Sequence, residues 1–436
     1  MRTLLCRAPE ILESEKNMIR KVKENYHWII ALLVFLEMLI YGGLLNSSSV
    51  FIQPVSSGLG VSTTAYSFAD MPRNITSFLS TCVTGALFLR FGYKRAAIAS
   101  LTLGSLSMLI ASMTGNILIF AFSRGLFGLS YGVCFTAGTA YIIKRWFWKR
   151  QGFVLGAVSM STGVGGSLMT MLLTKVILSS SWRSAYLVGA ICAAGLAVLF
   201  LLIKDQPEQM GLQPYGYGEP VESNKARRGR ADFPGYPMKE QLKRPMFYLM
   251  CMCVLGSCVC LGSFSGFVVP HFISQGYMPE QASLFQSFYM LVLSVVKVLL
   301  GILYDKFGAK PVMVLCMLGA VAGEGILAYT NDFGLCLIAL VFFAAGLCMT
   351  SMMIPLISAE LFGYEACLKV NGVFVGLVGL SHLFASPISS MCYDVTGVYT
   401  PVYRVTSVVL LAILAVYLRL FSIVKKEQQT VKNATP

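Results

Sequence analysis

Long apolar segments alternate with short polar ones along the whole chain. An α-helix needs about 20 residues to cross a hydrocarbon core of about 30 Å. Twelve runs reach about that length, and they predict transmembrane helices at residues 28–53, 66–89, 96–117, 118–143, 152–178, 184–203, 246–270, 282–304, 311–330, 333–358, 370–393 and 402–423. The pattern therefore predicts an all-α membrane protein that crosses the bilayer twelve times.

A polar stretch at residues 204–245 separates the first six spans from the last six. It is rich in Gly, Pro and charged residues, which is typical of a linker, and it has room for a short surface helix. We therefore predict an N-terminal segment (1–27), a six-helix bundle (28–203), the linker (204–245), a second six-helix bundle (246–423) and a tail (424–436).

The two halves also resemble each other in sequence. "GALFLRFGYKR" begins at Gly85 and "GILYDKFGAKP" begins at Gly301, an offset of 216 residues that also aligns Pro54 with Pro270. These matches fall in segments of equal rank within each half. Such an internal repeat predicts two pseudo-symmetric bundles related by an axis along the membrane normal.

Composition agrees with a membrane protein. Of the 436 residues, 56% are hydrophobic and 12% are charged, whereas a soluble chain has about 25% charged residues. The 13 cysteines show no spacing typical of a disulfide framework or a metal site, and we expect no metal or cofactor. No nucleotide-binding motif is present, which excludes a primary pump formed by this chain alone.

The net charge of +14 would suggest nucleic acid in a soluble protein. However, 28 of the 34 Lys and Arg residues lie on one side of the predicted spans, together with both termini. This bias predicts that both termini are cytoplasmic in a multi-pass protein of the plasma (inner) membrane. The cations then set topology beside anionic lipid, and we expect no nucleic-acid partner. The first 27 residues are polar, so no cleavable signal peptide is predicted.

The repeated loop resembles the signature loop of the major facilitator superfamily. Its residues are Gly85, Arg90 and Gly92 in the first half, and Gly301, Asp305, Lys306 and Gly308 in the second. The resemblance implies two six-helix bundles, transport by alternating access and a monomeric functional unit. Leu89 departs from the pattern, because the family has an acid there that helps to latch the helix ends.

Two further segments are similar to the monocarboxylate transporters and the oxalate:formate antiporters. They are "KRWFWKRQGFVLG" before span five and "SWRSAY" before span six. That branch has an Arg in span eight that binds a substrate carboxylate, and Lys297 occupies this position. A second cation in span eleven is missing near Val378. The resemblance implies a small organic anion, a monocarboxylate rather than a doubly charged one.

Lys297 is also the sharpest candidate when the residues are considered by themselves. It precedes Asp305 by eight residues, about 12 Å along a helix, which places it near the middle of the bilayer. An ionisable group at that depth costs several kcal/mol unless it faces a cavity or a partner. We favour substrate anion binding; the alternative is a structural Lys that snorkels along its stem or pairs with an acid such as Glu324.

Two arginines also fall inside predicted spans. Arg73 follows Asp70 by three residues, one helical turn, so the two can neutralise each other. The alternatives for Arg73 are an outer gate and a second anion site. Arg124 begins a run of small residues at every fourth position, which indicates helix packing, with proton coupling as the alternative.

Several other side chains could exchange protons or contact substrate. Glu37, Asp70 and Glu324 are the proton-coupling candidates, and His382 is a candidate both for titration and for substrate binding. Asp394, at the end of span eleven, is expected to be a solvated cap. The uncharged candidates for the central cavity are Tyr41, Asn46, Tyr66, Asn74, Tyr131, Gln286 and Tyr289.

These residues predict a secondary active transporter for a small organic anion, with proton symport favoured. Anion exchange and carriage of an uncharged solute remain the alternatives within the same fold. A membrane-embedded enzyme would need clustered intramembrane His, Asp or Glu ligands, and a receptor would need a folded soluble extension. Neither feature is present in the sequence.

Overall fold

A computed structural model describes residues 25–217 and 238–434. The predicted N-terminal segment up to residue 24, the middle of the predicted linker and the last two residues lie outside the described residues. In the described part the secondary structure is almost entirely helical, apart from one isolated bridge between Phe147 and Tyr215.

The first bundle contains eight helices because two of its spans are interrupted. Span one continues into a short 3₁₀ segment (Ser48–Phe51) and α2, while span four is divided by a π-helical segment, Gly132–Gly138. The helices are α1 (Tyr26–Asn46), α2 (Ile52–Leu59), α3 (Thr63–Phe91), α4 (Tyr93–Met113), α5 (Ile117–Tyr131), α6 (Thr139–Trp146), α7 (Gln151–Ser179) and α8 (Trp182–Leu199).

The second bundle follows the same plan. A second π-helical segment, Met349–Met353, lies between α14 and α15, and helical backbone continues through the region where a loop is predicted between spans ten and eleven. Its helices are α9 (Met238–Gln241), α10 (Pro245–Ser265), α11 (Val268–Ser274), α12 (Pro279–Phe307), α13 (Ala309–Leu327), α14 (Phe333–Cys348), α15 (Ile354–Thr396) and α16 (Thr400–Ala434).

Eleven helical segments in the described ranges are long and apolar enough to cross a membrane. The predicted second span corresponds to α3, which has 29 residues but is less apolar, because it carries Asp70, Arg73 and Arg90 and is rich in Ser and Thr. It packs against α5 and α15 like the other long helices. The predicted span that is missing from these eleven is thus the one with an internal ion pair.

The repeated loops have the same backbone geometry in both halves. Both α3 and α12 are 29 residues long and end at a glycine with positive φ, Gly92 at 80° and Gly308 at 86°. Glycine adopts this conformation without the steric cost that a Cβ brings. We call the end of the molecule with these two glycines the motif side, and the end with Thr63 and Pro279 the opposite side.

The π-helical segments also obey the repeat. At the offset of 216 residues that separates Gly85 from Gly301, residues 133–137 of the first segment align with Met349–Met353. A π turn holds an extra residue and is frequent at functional sites. The two bundles therefore carry the same irregularity at the same depth.

The two largest seams between the bundles are α3 against α15 and α7 against α12. On the opposite side of the α3–α15 seam, the hydroxyls of Ser67 and Ser390 lie 2.6 Å apart. Along the α7–α12 seam, Thr174 and Ser283 hydroxyls are 2.6 Å apart, and Ser287 donates to the Ser167 carbonyl at 3.0 Å. These bonds hold the bundles together on the opposite side.

The beginning of the linker folds onto the motif side of the first bundle. Trp146 Nε1 donates to the Lys204 carbonyl at 3.1 Å, and the Tyr215 N–H donates to the Trp146 carbonyl at 2.9 Å. The ring of Tyr215 also packs 5.5 Å from that of Trp28. Residues 203–217 are therefore attached to this bundle.

Candidate functional site

One acid lies between two arginines inside the first bundle. Asp70 Oδ2 is 2.8 Å from Arg73 Nη2, and Asp70 Oδ1 accepts a hydrogen bond of 2.6 Å from Arg124 Nε. All three side chains are buried. The structure thus adds Arg124 to the pair predicted from sequence, and the group of three carries a formal charge of +1.

Two nitrogen atoms of the Arg73 guanidinium have no hydrogen-bond partner among the described residues. The residue is only 8% exposed, and its Nε and Nη1 have no hydrogen-bond partner among the described residues. A buried donor without a partner costs about 1–3 kcal/mol, and more when it is charged. Arg73 therefore offers two unsatisfied donors inside the membrane.

His382 faces this group from the second bundle across the α3–α15 seam. It lies close enough to Arg73 and Asp70 to interact electrostatically with both. Its Nδ1 is 3.0 Å from the Val378 carbonyl, which can only accept a hydrogen bond, so Nδ1 carries the hydrogen. The structure thus brings together two residues that the sequence analysis considered separately.

The neutral candidates of the first bundle are distributed around the charged group. Tyr66 is buried beside Tyr186 and within electrostatic range of Asp70. Tyr131 is within range of Arg73, and Asn74 is half-buried next to Arg73 on α3. Tyr41 is fully buried deeper in the bundle, where its hydroxyl pairs with that of Ser130.

Lys297 lies apart from the arginines, on α12 in the second bundle. Its side chain is half-buried, and it has no hydrogen bond or ion pair among the described residues. The ionisable neighbour that acts on it is Cys348, at the end of α14. Tyr289, two turns earlier on α12, is buried and also lies near Cys348.

The two remaining acids are buried in separate places. Glu37 is 0% exposed, and neither of its carboxyl oxygens has a described hydrogen-bond partner. Its ionisable neighbours are Tyr41, Tyr93 and Cys134, and the Cys134 thiol, in the first π-helical segment, lies close enough to interact with this carboxyl group. An ionised carboxylate without a partner is very costly in such surroundings.

Glu324 has a partner, but it is not Lys297. Thr406 Oγ1 donates to Glu324 Oε2 at 2.5 Å, which joins α13 to α16. The other oxygen, Oε1, has no partner among the described residues. The alternative in which Glu324 pairs with Lys297 therefore has no support in these contacts.

Asp394 caps a helix of the other bundle and not its own. It is exposed, as predicted, but its carboxylate accepts hydrogen bonds from Thr63 Oγ1 at 2.7 Å and from the backbone N–H groups of Thr63 and Thr64 at 3.2 and 2.9 Å. The start of α3 is thus capped by the other bundle. Sequence reasoning missed this contact because the two residues are more than 300 positions apart.

The repeated loops are capped by acids from elsewhere. Asp205 accepts a hydrogen bond from the Lys94 N–H at 2.5 Å, and Glu360 accepts one from the Ala309 N–H at 3.0 Å. Leu89, where the family has an acid, is 82% exposed. Arg90 stacks on Phe91 with 5.2 Å between its guanidinium carbon and the ring centroid.

The other loop residues have more open surroundings. Lys306 is exposed, as is Gly85, and a Cβ built at Gly85 would meet no atom within 4 Å. Gly301 is half-buried and faces Met352, 3.6 Å from a Cβ built there. The side chain of Asp305 lies outside the described part of the structure.

Comparison with known proteins agrees with this architecture. The sequence profile of the Major Facilitator Superfamily matches residues 28–278 and 250–436, which together span both bundles. The chain belongs to the Major Facilitator Superfamily. It is therefore a membrane transporter of the alternating-access fold and not an enzyme.

Individual relatives are distant. Monocarboxylate transporter 12 from Rattus norvegicus is 23% identical over 337 residues, which cover 69% of this chain and 66% of that protein. The uncharacterized MFS-type transporter YhjX from Escherichia coli (strain K12) is 24% identical over 325 residues, 72% of this chain and 75% of that one. The alignment thus spans slightly less than two thirds of the rat transporter.

Among solved structures, the nucleoside transporter NupG has a TM-score of 0.70 at 12% identity. The match covers 91% of this chain and 99% of that one. At this level of identity the likeness shows the fold alone.

Proposed function

We propose that this protein is a secondary active transporter of a small organic anion, a monocarboxylate, which it moves by alternating access. The observation that carries the proposal is a local excess of positive charge at two places inside the bundles. Arg73 and Arg124 share the single carboxylate of Asp70, and Lys297 has no acid partner among the described residues. An anionic substrate would supply the missing negative charge.

The cost of burying a cation suggests how binding and movement are linked. An unneutralised cation resists enclosure in a medium of low dielectric constant, whereas a paired one is tolerated. Lys297 keeps part of its surface exposed, and closing the bundles around it would bury that surface. We infer that an empty site resists occlusion and that a bound carboxylate permits it.

A single carboxylate is the substrate group that we favour. Lys297 has a compact ammonium group, which does not bind a carboxylate in the bidentate way that an Arg guanidinium does. The position near Val378 that would supply a second cation on α15 is uncharged. The likeness to a protein named monocarboxylate transporter 12 points to the same substrate class.

We favour proton symport over anion exchange because the fully buried carboxyl group of Glu37 has no described partner and is suited to hold a proton. Anion exchange remains the second candidate. If the binding cations keep their charge and no nearby group gives up a proton, the site can close only with an anion bound, and each anion that leaves must be replaced by another. The protein would act in the plasma (inner) membrane as a monomer. Its motif side would face the cytoplasm, as the distribution of Lys and Arg predicts.

The test is uptake of labelled acetate, lactate, benzoate and oxalate into proteoliposomes, with and without an inward proton gradient. Wild type is expected to take up a monocarboxylate faster than oxalate, and more so with the gradient. Lys297→Ala should lower the initial rate at least tenfold, and Lys297→Arg should retain part of it. Lys175→Ala, which removes an exposed cation of α7, is the matched control.

Each result separates the candidates. Unchanged monocarboxylate uptake by Lys297→Ala would overturn Lys297 as the anion site. Stimulation by substrate inside the liposome, without any effect of the proton gradient, would favour exchange. Saturable uptake of an uncharged solute, with none of any carboxylate, would replace the proposal by a carrier for neutral compounds.

A further inference from the structure

Arg73 and Lys297 lie at different depths on equivalent helices. Both α3 and α12 have 29 residues, start on the opposite side and end at a glycine of positive φ. Arg73 is ten residues from the start of α3, whereas Lys297 is ten residues from the end of α12. At about 1.5 Å per residue, the two positions differ in depth by about 12 Å.

The internal repeat shows that the two cations are not copies of each other. At the 216-residue offset between Gly85 and Gly301, the counterpart of Arg73 is Tyr289 and the counterpart of Lys297 is Thr81. Tyr289 is buried in the second bundle. Thr81 donates hydrogen bonds to carbonyls of the first bundle, including that of Ser77 at 2.8 Å. At each of these two positions one bundle thus has a cation and the other has a neutral residue.

Arg73 is buried next to the closed α3–α15 seam in the described conformation. Its Nε and Nη1 are buried without partners among the described residues, and it lies six residues below Ser67 on the α3–α15 seam. His382 lies eight residues below Ser390 on the antiparallel helix of that seam, which brings it to a similar level. Separation of α3 from α15 on the opposite side would therefore uncover Arg73.

Lys297, unlike Arg73, lies outside the closed part of its seam. The hydrogen bonds of the α7–α12 seam come from Ser283, Ser287 and Ser294, all of which precede Lys297 on α12. The Lys297 side chain lies beyond them, toward the motif side, and is partly exposed. We infer that a substrate can reach it while the opposite side is closed.

We propose that the transported carboxylate uses two binding stations, Arg73 when the opposite side is open and Lys297 when that side is closed. The inference rests on the proposed function, because it assigns the steps of anion transport to two sites. At the first station the free guanidinium donors of Arg73 bind the carboxylate, beside His382. At the second station the amino group of Lys297 binds it before release on the motif side.

A disulfide across the α3–α15 seam would hold the protein in the conformation with the opposite side closed, so that binding can be measured in that state. A Ser67→Cys/Ser390→Cys variant, cross-linked by mild oxidation, should keep the opposite side closed because the two hydroxyls are 2.6 Å apart. A protease site inserted in the linker verifies the bond, since the halves stay joined on a non-reducing gel. Binding is measured by equilibrium dialysis, with the monocarboxylate that wild type takes up fastest.

In the cross-linked protein, Lys297→Gln should weaken binding about tenfold, and Arg73→Gln should change it less than twofold. In vesicles with the opposite side outward, Arg73→Gln should raise the external half-saturating concentration about tenfold. Arg73→Lys should restore part of that loss. Arg404→Gln, which removes an exposed outer cation, should leave both measurements unchanged.

Equal loss of binding in the cross-linked protein for Arg73→Gln and Lys297→Gln would overturn the two stations in favour of one shared site. An unchanged external half-saturating concentration in Arg73→Gln would show that Arg73 is structural. Both results leave wild-type uptake intact. Absence of carboxylate uptake by wild type would instead overturn the proposed function, and the two stations with it.

Discussion

The carboxylate of Asp394 accepts a hydrogen bond from the backbone N–H of Thr64, 2.9 Å away, and so joins the end of α15 to the start of α3. A helix start has N–H groups without intrahelical partners, and an acid there is stabilising. Here the acid comes from the other bundle. This cap therefore exists only while the opposite side is closed.

Replacement of Asp394 by Ala is expected to loosen that closure. Loss of a cap costs about 1 kcal/mol, which would shift the equilibrium toward the open state about fivefold. The measurement is the rate at which a membrane-impermeant maleimide labels a cysteine at Ser67. The matched control is Asp332→Ala, since Asp332 caps α14 within one bundle through the Leu335 N–H at 2.9 Å. An equal rise in both variants would contradict a role in closure.

Replacement of Asp70 by Asn is expected to destabilise the first bundle. Removal of one member of a buried ion pair leaves its partners uncompensated, at a cost of about 3 kcal/mol. The melting temperature in detergent should therefore fall. The double variant Asp70→Asn/Arg124→Gln should recover part of the loss, because it removes one of the two surplus cations. No recovery would indicate that hydrogen-bond geometry, and not charge balance, dominates.

Replacement of Gly92 by Ala is expected to cost more stability than replacement of Gly60. Both have positive φ, at 80° and 65°, so a Cβ is strained at each position. At Gly92 the new Cβ would also lie 2.5 Å from Asp205 Oδ2, whereas at Gly60 it meets nothing within 4 Å. We expect about 1 kcal/mol for Gly60→Ala and at least twice that for Gly92→Ala. Equal melting temperatures would exclude a role for the Asp205 contact.

Acidification is expected to destabilise the protein through His271 in α11, outside the candidate spans. Burial beside Phe264 and Tyr403 lowers the pKa of His271 to about 3, and neither ring nitrogen has a described partner. The unfolded chain takes up this proton below about pH 6.5 and the folded chain does not, so stability falls as the pH drops from 6.5 toward 3.

Between pH 7.5 and pH 5 the loss from His271 amounts to about 2 kcal/mol. Melting temperatures of wild type and His271→Phe at both pH values provide the check, because Phe suits the aromatic surroundings and does not titrate. The difference between the two pH values should be smaller in the variant. An unchanged difference would show that other groups control the response to acid.

Replacement of Glu37 by Gln is expected to separate proton coupling from substrate movement. The amide fills the same space but cannot release a proton. The variant should exchange labelled for unlabelled carboxylate at near wild-type rates, yet lose accumulation driven by a proton gradient. Glu324→Gln, in which the Thr406 contact can persist, should retain accumulation. Accumulation by Glu37→Gln would exclude Glu37 as the coupling residue.

Hydropathy, the internal repeat and the glycine-rich loops were sufficient to predict the helical fold and its family. Each of these signals is local or repeats at a fixed offset, so a single sequence displays it directly. The same is true of the Asp70 and Arg73 pair, which lie one turn apart on α3. Periodicity also indicated that Lys297, Glu37 and Glu324 lie within spans.

Contacts between distant segments could not be predicted in this way. Nothing local to Arg124 indicates that it shares Asp70 with Arg73, and nothing near Leu89 shows that Asp205 caps α4. The pairing of Glu324 with Thr406 replaced the predicted alternative with Lys297 for the same reason. These partners depend on how the helices pack, which hydropathy does not specify.

The two π-helical segments occupy equivalent positions, whereas the cations of the two bundles do not. A wide turn is a property of the backbone and survives many changes of side chain, while a charge is gained or lost by one substitution. The duplicated halves have thus kept the same backbone irregularity and diverged in their charged residues. If the proposed roles of the cations hold, substrate preference can change by single substitutions that leave this shared backbone intact.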